Sequence, residues 1–237
     1  GGRNDHPAYD AEGHGRVDLY TAVERSCNVY FYHVGRLLGE KKLADYARSL
    51  GFGAPAQFEL PTAEGLVPDR SWKEEAYHDQ WYPGETIAFA IGQSYLLVSP
   101  FRILRLVSAI ATDGKVVQPK LVADEWVFPK RTPHLAVEAR SFKVLRQGML
   151  QSVSSNRGTA QLARVHFAKL AAKTGTAQAP PGEAHAWFGG FFPYEDPRFA
   201  LVVFVERGKS GGITAAQLAK KVIHLCHDLY DPAPALS

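Results

Sequence analysis

The sequence predicts an α+β fold in which helices come first, three antiparallel strands follow and one helix ends the pattern. Three observations lead to this prediction. Apolar residues recur at helical spacing through much of 1–160. Three short apolar segments, each bounded by turn-forming residues, lie within 167–206. An amphipathic stretch over 214–229 then closes the chain.

The first helical pattern runs over 19–38, and Gly39 is a candidate C-terminal cap. A second, shorter helix is predicted over 42–50 because Gly51 ends it. Residues 51–84 are rich in proline, glycine and tryptophan. We therefore predict a long ordered loop there, and a loop of that length in a compact domain usually serves a function.

The remaining helices before the strands are predicted over 100–112 and 141–153, where apolar residues cluster on one side. The strand candidates are 167–177, 185–193 and 199–206. The apolar face of the last helix is formed by Ala215, Leu218, Ala219, Val222, Cys226 and Leu229. Helices followed by neighbouring strands are typical of α+β rather than α/β proteins.

Composition and charge narrow the function classes. The chain has 237 residues, of which 46% are hydrophobic, and this suits a folded domain with a substantial core. Its formal net charge is +3, and its basic residues form no run, so no nucleic-acid partner is predicted. No apolar run approaches the about 18 residues that a membrane span needs. The two cysteines, Cys27 and Cys226, are too few for a disulfide framework.

The tetrapeptide Lys-Thr-Gly-Thr at 173–176 lies within the first strand candidate. A strand edge presents N–H and C=O groups that pair with an extended peptide. Gly175 allows a substrate backbone to approach, and the hydroxyls of Thr174 and Thr176 suit a carboxylate. Lys173 adds positive charge beside a developing oxyanion or a substrate carboxylate. An ordinary edge strand also explains these four residues, so the tetrapeptide alone leaves both interpretations open.

The tripeptide Ser-Cys-Asn at 26–28 interrupts a helical stretch. Both polar side chains are able to project towards one cleft. Ser26 can then relay a proton, and Asn28 can donate a hydrogen bond to a substrate amide. A helix break satisfied by local hydrogen bonds is the alternative interpretation.

The segments around both motifs match a known family in the same order along the chain. They are 13–19, 24–32, 84–87, 91–93, 98–100, 156–160, 171–178 and 185–191. These segments strongly resemble class B penicillin-binding proteins, in particular the elongation-type (rod-shape) transpeptidases. The resemblance covers about 12–230. One departure is Ser94, which stands where the family usually has glycine.

This resemblance implies a penicillin-binding/serine β-lactamase-like transpeptidase fold, with a helical subdomain and an antiparallel sheet flanked by helices. Residues 1–160 would form the mainly helical part with Ser-x-Asn, and 161–237 the strands with Lys-Thr-Gly and the terminal helix. The family's nucleophilic serine belongs to a Ser-x-x-Lys motif. No serine of this chain has a lysine three residues later, and the chain begins at Gly1 without methionine. We therefore expect a fragment whose N-terminal part, with that motif, is missing.

The activity that the resemblance implies is that of a peptidoglycan D,D-transpeptidase, which cross-links stem peptides through a serine acyl-enzyme. Ser26 would assist proton transfer, Lys173 would support that relay, and Asn28 would hold the amide of the donor peptide. Thr174 and Thr176 would bind the terminal carboxylate of the substrate or of a β-lactam. The fragment alone is expected to be inactive, because the nucleophile lies upstream.

The resemblance also implies partners and a location. The partners would be peptidoglycan stem peptides, β-lactam antibiotics and the cell-wall elongation machinery in the membrane. The location would be the extracytoplasmic face of the bacterial inner membrane, with an anchor upstream of this chain. Without the missing part, the strand over 199–205 and the helix over 215–229 are expected to expose apolar surface or to recruit another chain.

No cofactor is required for this activity, but a structural zinc ion is a further hypothesis. Some elongation-type relatives are understood to bind zinc through a histidine and a cysteine at positions that correspond to His14 and Cys27, together with two aspartates. Here Asp10 and Asp5 are near in sequence, although their spacing does not match cleanly. The alternative is that Cys27 is a small buried apolar residue and His14 a hydrogen-bonding loop residue.

Two other functions remain open at this point. One is a non-catalytic module that binds a peptide or acts as a scaffold and has lost the nucleophile. The other is a related serine β-lactamase or β-lactam sensor. The long segment 51–84 argues against the second, because it resembles the cell-wall enzymes.

Overall fold

The computed structural model describes residues 14–56, 58–121 and 134–230. Within these ranges the chain forms seven α-helices and one antiparallel sheet of three strands, which confirms the predicted α+β fold. The helices are α1 (Leu19–Glu24), α2 (Asn28–Ser49), α3 (Arg70–Tyr77), α4 (Pro83–Ala90), α5 (Pro100–Ala111), α6 (Ala139–Ser154) and α7 (Ala216–Tyr230). The strands are β1 (Ala171–Ala177), β2 (His185–Phe192) and β3 (Phe199–Val205), and they lie side by side in this order.

The first helical stretch is divided at the Ser-Cys-Asn motif. Helix α1 begins after Asp18, whose carboxylate accepts a hydrogen bond from the backbone N–H of Thr21 at 2.8 Å. Ser26 then adopts a left-handed conformation with a φ of 55°, and α2 begins at Asn28. The predicted interruption is therefore confirmed. We call residues 25–27 the serine turn.

A sharp bend divides α2 as well. Gly39 lies inside the helix with a φ of 76° and a ψ of 162°, a conformation that other residues rarely adopt. The helix continues beyond this point to Ser49. Gly39 therefore ends the first helical segment, as predicted, and the predicted helix over 42–50 is the second segment of α2.

The predicted long loop over 51–84 is wrong in its second half, which contains α3 and the start of α4. The Asp69 carboxylate caps α3 by accepting a hydrogen bond from the backbone N–H of Trp72 at 2.8 Å. Pro83 occupies the first turn of α4, where a helix needs no N–H donor. The proline that suggested a loop therefore begins a helix.

Helices cover both faces of the sheet, as predicted. On one face, Ala219 and Ile223 of α7 share a fully buried core with Phe188 of β2. On the other face, Val107 of α5 shares a core with Phe191 of β2, and α1 and α6 contribute to the same core. Burial of these apolar side chains supplies the main stabilisation of the sheet.

Helix α5 also connects the sheet to the helical part. Its residues Ile103 and Leu106 pack against the core beneath the sheet and against a separate core that lies around α4. This separate core contains Phe52, Trp81 and Phe89. Because α5 serves both cores, the helical part and the sheet are packed on each other.

The outer side of α7 carries several apolar residues that nothing covers in the described part of the chain. Leu218, Val222, Leu225 and Leu229 are between 40% and 71% exposed, and Phe204 of β3 is 38% exposed. The predicted exposure of apolar surface on this strand and helix is confirmed. Among the described residues, no helix combines the length and the hydropathy needed to cross a bilayer.

Candidate active site

A cleft of about 770 Å³ lies between β1 and the helices α2 and α4. All the residues predicted to act in catalysis or substrate binding line it: Ser26, Asn28, Lys173, Thr174, Gly175 and Thr176. The structure thus brings the two motifs together at one surface. We call Ser26 and Asn28 the turn wall of this cleft, and residues 173–176 the strand wall.

A direct hydrogen bond joins the two walls. Lys173 Nζ donates to Ser26 Oγ at 2.7 Å and to the backbone carbonyl of Thr174 at 2.7 Å. An ammonium group has donors only, so Ser26 Oγ accepts from it. The hydroxyl proton of Ser26 is therefore directed away from Lys173 and is able to bind or move towards another group.

Burial lowers the pKa of Lys173 to about 8 from an ordinary value of 10.5. The surrounding protein displaces water from the ammonium group and so disfavours its charged form. At pH 7 roughly nine-tenths of Lys173 is still protonated. Lys173 is thus able to stabilise negative charge that develops on Ser26, and it loses this ability as the pH rises through its pKa.

Asn28 presents its side chain to the cleft from the first turn of α2. Within the described ranges, its side-chain amide has no hydrogen-bond partner. A free amide in a cleft offers both a donor and an acceptor, which together suit the peptide group of a ligand.

Both hydroxyls of the strand wall contact a group outside β1. Thr174 Oγ1 lies 2.8 Å from Thr159 Oγ1. Thr176 Oγ1 accepts a hydrogen bond from the backbone N–H of Gly211 at 3.1 Å. Because Thr176 uses a lone pair for this bond, its own proton is available to an anionic ligand.

Gly175 of β1 and Gly211 beside it differ, because the fold requires glycine only at position 211. A Cβ on Gly211 would lie 2.2 Å from the backbone oxygen of Gly175 and 2.6 Å from that of Trp187, so only glycine fits there. A Cβ on Gly175 would meet only the Cβ of Trp187, at an ordinary 3.4 Å. The fold itself therefore does not require glycine at position 175, whereas a ligand lying along the strand would.

A buried ionic cluster holds the start of α4 beside the cleft. Lys73 is 2% exposed, and its Nζ lies 2.6 Å from Glu85 and 3.1 Å from Asp79. Glu85 also accepts a hydrogen bond from the backbone N–H of Tyr82 at 2.7 Å. These contacts fix the first turn of the helix whose next residues, among them Ile87, line the cleft.

The hypothetical zinc ligands are only partly described. His14 Nδ1 is buried without a hydrogen-bond partner, and Cys27 is a free cysteine that is 3% exposed. Asp10 and Asp5 lie outside the described residues. Within the described ranges, no group of three histidine, cysteine or acidic side chains is arranged to hold a metal ion. The two donors present are nevertheless of the types that zinc binds.

Several cleft residues were not singled out from the sequence. Gln93, Gln178 and Tyr32 line the cleft, and Thr159 contacts the strand wall from outside it. All four lie within the segments that resemble the family, but nothing in their local sequence distinguishes them from their neighbours. The resemblance was thus the only signal that pointed to these residues.

Comparison with known proteins agrees with this geometry. Residues 3–224 match the penicillin binding protein transpeptidase domain. A Salmonella typhimurium protein named peptidoglycan D,D-transpeptidase MrdA is 30% identical over 247 residues, which cover 93% of this chain and 39% of that protein. The chain therefore spans well under half the length of this relative.

Two solved structures are also similar. PBP2 of Helicobacter pylori in complex with MreC is 34% identical with a TM-score of 0.83, over 92% of this chain and 41% of that chain. Pseudomonas aeruginosa PBP2 in complex with WCK 5153 is 32% identical with a TM-score of 0.82, over 92% of this chain and 50% of that chain. The predicted penicillin-binding transpeptidase fold is confirmed, and the chain belongs to the penicillin-binding protein transpeptidase domain family.

Proposed function

We propose that this chain forms two walls of the active site of a peptidoglycan D,D-transpeptidase that cross-links stem peptides during cell-wall elongation. The observation that carries the proposal is the hydrogen bond between Lys173 and Ser26, which lie 147 residues apart in sequence. A lysine with a lowered pKa beside a serine hydroxyl in a cleft is typical of a catalytic site. Relatives with the names MrdA and PBP2 support the elongation assignment.

In the proposed reaction, the nucleophile is the serine of a Ser-x-x-Lys motif upstream of Gly1. Its oxygen attacks the carbonyl carbon of the D-Ala-D-Ala bond, and the C–N bond breaks to release D-alanine. The lysine of the Ser-x-x-Lys motif takes the proton of the attacking serine and passes it to Ser26, which gives its own proton to the departing amine. Protonated Lys173 stabilises the negative charge that develops on Ser26 Oγ during this transfer. An amine from a neighbouring stem then attacks the serine ester and regenerates the nucleophile. This reaction needs no cofactor.

The strand wall would bind the donor peptide. Thr176 donates to the terminal carboxylate, which has only acceptors, while Thr176 Oγ1 accepts from the Gly211 N–H. Thr174 faces the same cleft and contributes the second hydroxyl. Gly175 leaves room for the substrate backbone, and Asn28 binds a substrate amide from the opposite wall. A β-lactam carboxylate would occupy the same position.

We also propose the domain organisation, partners and location that this function requires. Residues 1–160 would be the mainly helical part of the domain, and 161–237 the part with the sheet and last helix. The solved complex of a similar PBP2 with MreC supports elongation proteins as partners. A location at the extracytoplasmic face of the inner membrane follows from a peptidoglycan substrate, with the anchor upstream of this chain.

A structural zinc ion is a separate proposal. His14 and Cys27 would hold it together with Asp10, and it would tie the segment before α1 to the serine turn. The unpartnered buried Nδ1 of His14 supports this proposal. The test is the zinc content and Tm of the purified full-length protein and its Cys27→Ala variant. We expect one zinc per wild-type molecule and a lower Tm in the variant. A zinc-free wild type with a chelator-insensitive Tm would overturn the proposal.

Covalent labelling with a fluorescent penicillin tests the proposed function. The full-length protein should be labelled, and a variant with alanine in place of the serine of the upstream Ser-x-x-Lys motif should not. The piece 1–237 alone should remain unlabelled. Labelling of this piece would contradict the upstream nucleophile. An unlabelled full-length protein would favour a scaffold, and rapid release of hydrolysed penicillin would favour a β-lactamase.

A further inference from the structure

A threonine outside β1 contacts one of the two hydroxyls of the strand wall that would bind a carboxylate. Thr159 Oγ1 lies 2.8 Å from Thr174 Oγ1, although the two residues are on different segments. Thr174 is only 8% exposed and lines the cleft. Thr159 itself is half-buried and does not line the cleft. Its hydroxyl therefore acts on a ligand only through Thr174.

Backbone contacts on several sides fix Thr159. Its N–H donates to the carbonyl of Glu24 at 3.3 Å, and the next residue donates to the carbonyl of Ser152 at 2.9 Å. A Cβ on Gly158 would lie 2.1 Å from the Ser152 oxygen, and a Cβ on Gly212 would lie 2.9 Å from the Thr159 oxygen. The backbone at 158–160 is thus closely packed, and this fixes where the side chain of Thr159 starts beside Thr174.

The proton count at these two hydroxyls decides what Thr159 does. Each hydroxyl has one proton, and a carboxylate has none to give. When Thr174 donates to a carboxylate, its lone pairs are left to accept. Without a ligand, Thr174 Oγ1 donates to Thr159 Oγ1. Once the Thr174 proton goes to a carboxylate, Thr159 Oγ1 can turn its own proton to Thr174, because it has no other hydrogen-bond partner in the described part of the chain. In this arrangement both protons are used and neither hydroxyl is unsatisfied.

We propose that Thr159 is a positioning residue that donates to Thr174 and thereby makes Thr174 a donor for the ligand carboxylate. This inference rests on the proposed function. It extends to Thr174 the arrangement that Gly211 provides for Thr176, in which a neighbouring donor uses the lone pair and leaves the proton for the ligand. The ligand class that this pair of hydroxyls selects is an acyl donor with a free carboxylate beside the scissile bond.

The test measures acylation of the full-length protein by two compounds. One is a penicillin with its free carboxylate, and the other is the methyl ester of the same penicillin. Thr159→Val keeps the shape of the side chain and removes the donor, and Thr159→Ser keeps the donor. We expect Thr159→Val to lower the second-order acylation rate constant for the free carboxylate about tenfold and to leave the ester nearly unaffected. Thr159→Ser should restore the wild-type preference for the carboxylate.

The matched control is Thr112→Val, which removes a similar hydroxyl at the end of α5, away from the cleft. It should leave both rate constants unchanged. If Thr159→Val lowers Tm, Thr159→Ala provides a second comparison at a temperature where both proteins are folded. The inference would be overturned if the valine and alanine variants kept the wild-type ratio of the two rate constants, whether both constants stayed the same or both fell equally. Acylation of the wild type tests the proposed function separately.

Discussion

The two walls of the cleft are built differently. On the strand wall, each threonine hydroxyl contacts a group outside the strand, Thr159 for Thr174 and the Gly211 N–H for Thr176. On the turn wall, the Ser26 hydroxyl contacts only Lys173 within the described ranges, and the Asn28 amide has no partner. Recognition of a fixed anion benefits from donors that are already oriented, whereas proton transfer needs a group whose proton can move. The difference supports the proposal that the threonines of the strand wall recognise the ligand, whereas Ser26 moves the proton.

The largest effect is expected from removal of Lys173, which breaks the contact between the two walls. We expect Lys173→Met to lower the acylation rate of the full-length protein by about a thousandfold, since Ser26 loses its charged donor. The same change should raise the free energy of unfolding at pH 7 by about 1 kcal/mol, because a buried ammonium with a depressed pKa opposes folding. Stopped-flow acylation and urea unfolding measure the two effects. A variant that is both inactive and less stable would point to a structural role for Lys173.

Gly211→Ala should break the strand wall through the backbone. The new Cβ would overlap the backbone oxygens of Gly175 and Trp187, so the segment must move away from β1. We expect the free energy of unfolding to fall by about 3 kcal/mol. Gly84→Ala is the matched control, because a Cβ there has open space. Its free energy of unfolding should stay the same or rise by up to about 1 kcal/mol, since Gly84 lies in α4 and alanine favours a helix. Equal stability of the two variants in urea unfolding would contradict the close approach.

Acylation and stability should both depend on pH through the pKa of Lys173. This pKa is lowered to about 8, so acylation should fall about tenfold between pH 7 and pH 9 as Lys173 loses its proton. Between about pH 8 and the ordinary lysine pKa of 10.5, the unfolded chain holds more protons than the folded one. The free energy of unfolding should therefore rise with pH in that window.

A variant whose side chain at position 173 stays protonated tests whether Lys173 causes the fall in acylation. In Lys173→Arg the charge persists, so the fall in acylation between pH 7 and pH 9 should disappear. Rate measurements on both proteins across this range provide the comparison. An identical fall in both proteins would assign it to another group.

The smallest effect is expected at Gly175. In Gly175→Ala the new methyl meets only Trp187 within the protein, so the free energy of unfolding should change by less than about 1 kcal/mol. The methyl would stand where a ligand backbone lies along β1, and we expect acylation to fall by less than about tenfold. Acylation kinetics and urea unfolding measure the two quantities. A large loss of stability without a change in acylation would contradict the account of this glycine.

The fold could be predicted where local signals agreed with the packing. The strand over 199–205 was found because its apolar run is bounded by charged residues. The first strand was placed too early, at 167, because Phe167 is apolar but leaves the sheet to stack on His227 at 3.9 Å. Helix α3 was missed because its cap, Asp69, lies in a stretch rich in proline and glycine. Packing between distant segments decided these cases.

The candidate site could likewise be predicted only in part from the sequence. Its two motifs were visible in the sequence because each is a short run of reactive side chains. The contribution of Thr159 was not, since its hydroxyl meets Thr174 only after a turn and a 3₁₀ segment (Gln161–Ala163) have brought it back to β1. The depressed pKa of Lys173 likewise depends on burial that forms only when the walls come together. Sequence motifs identify the candidate reacting groups, and tertiary packing sets their properties.

The central claim is that Ser26 and Lys173 act as one unit across the cleft. The most direct test is a double-mutant cycle of Ser26→Ala and Lys173→Met, measured as acylation of the full-length protein by a penicillin. We expect each single variant to lose nearly as much rate as the double variant, because removal of either partner disables the same proton transfer. A double variant whose loss equals the product of the two single losses would show that the residues act independently and would contradict the account.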